Sequence, residues 1–126
     1  MFPKTIHQIW YQGKDKIPEK LKKNSELLKS FHINWNYIIW DDKKIKRYFK
    51  NNMKILSTYN NLEYLHQKVD FIRYCILYEL GGVYVDMDVT TLKSMDTLLE
   101  QYNEYESLVS NIRLSTFDSY IFSKHK

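Results

Sequence analysis

The chain has 126 residues, 44% of them hydrophobic, 27% charged and 16% aromatic, which is enough for one packed core, too few for two, and unlike a disordered chain. The 19 basic residues against 15 acidic ones leave a net charge of +4, but 16 of the 19 are lysines and three are arginines (Arg47, Arg73 and Arg113), unlike the Arg-rich stripe of a nucleic-acid reader. A single cysteine, Cys75, excludes an internal disulfide and a cysteine-based zinc site. No apolar run approaches the roughly 18 residues of a membrane span, and residues 1–10 lack a signal-peptide pattern, so a soluble, cytoplasmic chain with no nucleic-acid partner is expected.

Residues 5–10 (TIHQIW) predict a first strand, introduced by Pro3 and ended at Gly13. Over 18–31, Leu21, Leu27, Leu28 and Phe31 recur at near-helical spacing among lysines, and Pro18 suits a helix start, which predicts an amphipathic helix with a solvated lysine face. The run 36–40 (NYIIW) predicts a second strand ended by Asp41 and Asp42, followed by a short helix over 43–49. Leu62, Leu65, Val69, Ile72, Ile76 and Leu80 then step by three or four residues, the period of one buried helix face, with Gly81 where a C-cap glycine belongs. A strand over 83–89 (VYVDMDV), a helical turn over 97–102 and weaker strands over 107–112 and 120–123 follow. This order predicts an α/β domain built on βαβ units, with a mainly parallel sheet.

In an extended strand alternate side chains share a face, so Asp86 and Asp88 are expected on one side with Cα atoms roughly 6.6 Å apart. Two carboxylates facing one point repel, and a divalent cation shared with a phosphate relieves them. The C-terminal end of a strand is also where ligands settle in open α/β sheets. Taken alone, a D-x-D is more often an acidic solvated turn. Asp70 and Arg73, three apart and off the apolar helix face, form either a helix ion pair or a pair reaching hydroxyl and phosphate oxygens of a ligand, where guanidinium has a geometric advantage over lysine. Gly81 and Gly82 are assigned to the helix stop and turn. Trp10, at a strand end, is either core or a flat platform for a base. His7 is expected to hydrogen-bond structurally, Trp35, Trp40 and Cys75 to pack, and His66 and His125 to offer no metal geometry.

The string D-x-x-R-Y-x-x-L-Y-x-x-G-G-x-Y-x-D-x-D beginning at Asp70, with the opening PKTIHQIW at residues 3–10, resembles the glycosyltransferases with a DXD-containing sugar-binding region. That group includes fungal Golgi mannosyltransferases, bacterial capsular sugar transferases and the catalytic core of clostridial glucosylating toxins. The resemblance implies a GT-A-like, Rossmann-type nucleotide-diphospho-sugar transferase fold, a UDP- or GDP-sugar donor, Mn²⁺ or Mg²⁺, a glycan or other acceptor, and retention of anomeric configuration. By position it implies that Asp88 binds the metal directly and that Asp86 meets the ribose or sugar and a metal-bound water. It gives Asp70 and Arg73 the donor sugar and its phosphate, Tyr84 a place near the nucleoside, Trp10 a stack on the base, and Ile9 backbone groups for the base edge. The family pattern continues into a C-terminal half beyond Lys126, so a single, apparently truncated donor-binding domain is expected, one that binds donor without efficient transfer or works with a partner chain completing the site. A non-catalytic sugar-nucleotide and metal-binding module, and a basic interaction domain whose acidic turn is incidental, are the alternatives.

Overall fold

A computed structural model of the chain describes residues 3–101 and the strand segments 107–109 and 120–123. The chain opens with β1 (Thr5–Ile9), crosses through α1 (Glu19–Phe31) to β2 (Asn36–Trp40), and continues through α2 (Asp42–Tyr48), α3 (Met53–Asn61) and α4 (Leu65–Leu80) to β3 (Gly82–Val85). Helix α5 (Asp96–Gln101) and the strands β4 (Ser107–Val109) and β5 (Tyr120–Ser123) follow. The sheet runs β2-β1-β3-β5-β4. Its β2-β1-β3 part is parallel, and β5 joins β3 and β4 antiparallel. The predicted parallel sheet is therefore realised over β2, β1 and β3 and becomes mixed beyond them.

Strand alternation distributes β1 between two layers. Ile6 joins Leu28, Trp35, Val83, Val85 and Leu99 in a cluster with α1 and α5. Ile9 faces the opposite way and packs with Trp40, Ile45, Tyr59, Ile72 and Ile76 of β2 and α2 to α4. Buried Trp35 and Trp40 confirm their packing role. Helix starts are fixed by side chains, the Asp41 carboxylate accepting from the Lys44 N–H at 2.8 Å and the Asn52 carbonyl from the Ile55 N–H at 3.2 Å.

Two expectations need correction. The segment before α4 is a separate helix, α3, ending at an extended Leu62, so the long apolar stripe begins at Leu65. Strand β3 ends at Val85, not Val89: the Val89 N–H bonds the Asp86 carbonyl at 3.2 Å and closes a turn over Met87 and Asp88. Aspartate favours such turns because its short side chain competes for local backbone groups. Of the strand expected over 107–112, Ser107–Val109 is described as strand, and residues 110–112 lie outside the described residues, as does Tyr102 at the end of the 97–102 helical turn. Gly81 and Gly82 keep their expected part, both with positive φ. Gly81 caps α4, its N–H bonding the Leu77 carbonyl at 2.8 Å.

Candidate functional site

A cleft of about 640 Å³ opens at the C-terminal ends of β1 and β3. Strand β1 and its exit give it Ile9 and Trp10, α4 gives Asp70 and Arg73, β3 gives Tyr84, and the turn gives Asp86 and Asp88. All seven residues singled out in the sequence thus meet at one cavity, although Asp86 and Asp88 arrive there from a turn and not by strand alternation. Side chains without an expected role complete the wall, among them Met87, Leu21 of α1, and Tyr64 and His66 at the start of α4. His66 stacks on the Tyr64 ring, centroids 5.7 Å apart.

Arg73 organises the cleft. Its guanidinium pairs with Asp70 through one terminal nitrogen and lies 3.7 Å from the Asp86 carboxylate through the other. The same group stands 4.8 Å above the Tyr84 ring, a cation–π arrangement made stronger by burial. The ion pair expected of Asp70 and Arg73 is present, and both side chains also line the cleft. Burial, reinforced by the Asp86 charge, raises the Tyr84 pKa and keeps the phenol protonated. Asp88 is exposed, and among the described residues no ion pair engages it.

Three carboxylates against one guanidinium give the cleft a negative excess, which opposes a diphosphate unless a cation accompanies it. Two buried donors on its wall, Trp10 Nε1 and Arg73 Nε, have no hydrogen-bond partner among the described residues. A buried, unpaired donor costs about 1–3 kcal/mol, which an acceptor-rich ligand can offset. No group of three or more His, Cys, Asp or Glu able to hold a metal exists among the described residues. The donor set is a pair of hard oxygen ligands, and it fits Mg²⁺ or Mn²⁺, which is commonly held by one or two carboxylates together with substrate phosphates and water.

Sequence reasoning missed the residues behind the turn. Gln8, almost fully buried on β1, donates from Nε2 to the Asp86 carbonyl at 3.3 Å. Asn24 of α1 donates to the Met87 carbonyl at 3.3 Å. The available signal was a glutamine between Ile6 and Ile9 in a strand expected to be buried, since a buried carboxamide must find partners.

An open α/β sheet with a carboxylate-lined cleft at its strand ends belongs to the architectures that bind ligands in that crevice. The chain belongs to the family described as "Glycosyltransferase sugar-binding region containing DXD motif", whose profile matches residues 18–105. It is 38% identical over 101 residues to an uncharacterized glycosyltransferase of Acanthamoeba polyphaga mimivirus, covering 79% of this chain and 40% of that protein. It is 35% identical over 103 residues to inositol phosphoceramide mannosyltransferase 1 of Schizosaccharomyces pombe, covering 79% and 32%. With mannosyl phosphorylinositol ceramide synthase SUR1 of Saccharomyces cerevisiae it shares 36% identity over 100 residues, covering 79% and 26%. The chain thus spans less than half the length of these relatives. The solved PaToxG Glycosyltransferase shares the fold, with a TM-score of 0.61 at 22% identity over 75% of this chain and 45% of that one. The expected GT-A-like α/β fold is the observed one, and the D-x-D is the motif for which the family is named. No helix among the described residues is long and apolar enough to cross a membrane.

Proposed function

We propose that the cleft binds a nucleotide-diphospho-sugar together with Mn²⁺ or Mg²⁺, and that the protein passes the glycosyl group to a glycan or other acceptor with retention of configuration. The observation that carries this reading is the convergence of Trp10, Asp70, Arg73, Tyr84, Asp86 and Asp88 on one cavity with a negative excess and unpaired buried donors. Trp10 offers its ring to the base and Ile9 its backbone to the base edge. Asp70 and Arg73 meet the sugar hydroxyls and the phosphate, where the guanidinium can redirect a donor from its carboxylate partners. Exposed Asp88 would hold the metal directly, while Asp86, already close to Arg73, would meet the sugar or ribose and a water on the metal. The cation, when bound, neutralises the diphosphate and stabilises charge on the departing nucleotide. Relatives named as a mannosyltransferase and a mannosyl phosphorylinositol ceramide synthase put mannose-bearing nucleotides first among donors to try.

Calorimetric titration of UDP, GDP and their sugars, in Mn²⁺ and in chelator, tests the reading. Tight binding in Mn²⁺ and weak binding in chelator are expected, with Asp88→Asn losing more of the metal-linked affinity than Asp86→Asn. Equal affinity in both buffers removes the metal from the site.

A further inference from the structure

The turn that carries the two cleft aspartates is held from behind by side chains that never enter the cleft. The Gln8 carboxamide has its orientation settled by its neighbours. Its Oε1 accepts from Ser25 Oγ at 2.8 Å and from the Tyr37 hydroxyl, leaving Nε2 to donate to the Asp86 carbonyl at 3.3 Å. A flipped amide would set two acceptor oxygens against each other at Asp86. One residue further along, Asn24 Nδ2 donates to the Met87 carbonyl at 3.3 Å, and Asn24 Oδ1 accepts from Thr90 Oγ1 at 3.4 Å. The Met87 side chain between the aspartates is itself buried, its sulfur 3.9 Å from Ser25 Oγ. Both carbonyls that precede the Asp88 carboxylate are thus tied to β1 and α1, and the Asp86 carbonyl also closes the turn with the Val89 N–H.

We infer that Gln8 and Asn24 are positioning residues that clamp the Asp86–Met87–Asp88 backbone, holding both carboxylates toward the cleft against their mutual repulsion. Two like charges on neighbouring turn positions favour opening the turn when no cation is present. A turn fixed through its carbonyls cannot relax that way, so the ligands are presented in advance and binding does not have to order them. The consequence for ligand binding rests on the metal reading proposed above, whereas the clamp itself is a property of the ligand-free chain. The two therefore have separate readouts.

The experiment uses the full chain and two variants. Gln8→Met keeps length and volume while removing the carboxamide. Asn24→Ala, at a half-buried position on α1, is the milder change and carries the test should Gln8→Met fail to fold. Amide hydrogen exchange at Val89, whose N–H closes the turn, is compared with exchange at Trp10, whose N–H bonds the Trp40 carbonyl elsewhere on the sheet. Affinity for UDP and GDP is measured in Mn²⁺ and in chelator. Both variants should exchange Val89 about tenfold faster with Trp10 unchanged, and should lose about tenfold in Mn²⁺-linked affinity while chelator binding stays at the wild-type level. A merely structural role would move Trp10 exchange and chelator binding as well. Wild-type exchange at Val89 in both variants, or equal loss of affinity in both buffers, overturns the clamp. A wild-type chain indifferent to Mn²⁺ removes the metal reading instead, and Val89 exchange then decides the clamp by itself.

Discussion

Both ring nitrogens of His7 are committed: Nε2–H donates to the Gly81 carbonyl at 2.9 Å, and Nδ1 accepts from the Trp40 indole N–H at 3.1 Å. A second proton would sit on Nδ1 and face that N–H, so the buried ring is neutral. Burial lowers its pKa to about 4, against the opposing pull of the Gly81 hydrogen bond, while the unfolded chain titrates near 6.5. Between those values the unfolded state binds more protons. Stability is therefore complete above about pH 6.5 and falls toward pH 4, by roughly 2–4 kcal/mol. Asp96, whose carboxyl is held below its usual range by Lys4, adds to the loss only at lower pH. Denaturant midpoints at pH 7.5 and 4.5 should differ accordingly, and His7→Gln should flatten the difference; an unchanged slope in the variant would place the titration elsewhere. Trp10 carries a second prediction at this scale. Trp10→Ala should weaken nucleotide binding by on the order of 1–3 kcal/mol, whereas Trp10→Phe keeps a stacking ring and Trp35→Phe lies outside the cleft, so calorimetry should find both near the wild-type affinity. The roles of Trp10, Asp70 and Arg73 were open in the sequence because a ring at a strand end and an i,i+3 ion pair occur equally in plain packing and surface pairing. Their meeting at one cavity is a tertiary fact that no local pattern carries.

Between elements, β3 approaches β1 closely at Gly82. A Cβ on Gly82 would stand 2.5 Å from the Thr5 carbonyl oxygen and 3.2 Å from His7 Nε2, at a φ of +101°. Backbone cannot yield as a flexible side chain would, so Gly82→Ala should destabilise the chain by about 2–4 kcal/mol, read as a lowered denaturant midpoint with an unchanged slope. A cost within about 0.5 kcal/mol of wild type would mean that β3 can slide away from β1. The sequence made the G-G pair legible as a helix stop, but it held no hint of this contact, which depends on a register set by parallel pairing of Ile6 with Val83. Strands β1 and β2 and helix α4 were legible because their periodicity is strong. Helix α3 was not: in residues 51–61 the asparagines read as loop, and only Ile55, Leu56 and Tyr59 mark an inward face. Its fixing contact is tertiary, the buried Tyr59 hydroxyl donating to Asp42 at 2.8 Å. The D-x-D failed as a strand for a related reason, since alternation continues on paper through Val89 while the observed chain turns at Asp86 under bonds from Gln8 and Asn24.

At the scale of the molecule, the cleft draws its wall from both layers around the sheet, Leu21 from α1 on one side and Asp70 and Arg73 from α4 on the other, with β1, β3 and the turn beneath. A ligand seated there touches elements that are contiguous only in the folded chain. It therefore binds the native state and not the unfolded one, and raises stability by mass action, by about 2.7 kcal/mol at a free concentration 100 times Kd. For a chain of 126 residues that corresponds to a rise in Tm of roughly 8–14 °C. The carboxylate excess makes the effect conditional. Nucleotide without metal meets net repulsion, and metal without nucleotide finds two carboxylates in place of a full ligand set, so each alone should move Tm little and the two together should act far beyond their sum. Asp88→Asn should abolish the joint shift while leaving the ligand-free Tm at or slightly above the wild-type value, because the exposed carboxylate repels Asp86 and has no ion-pair partner among the described residues. Differential scanning fluorimetry over a grid of nucleotide and Mn²⁺ concentrations measures this directly. Additive shifts, or a joint shift that survives in Asp88→Asn, would show that metal and nucleotide do not share the cleft.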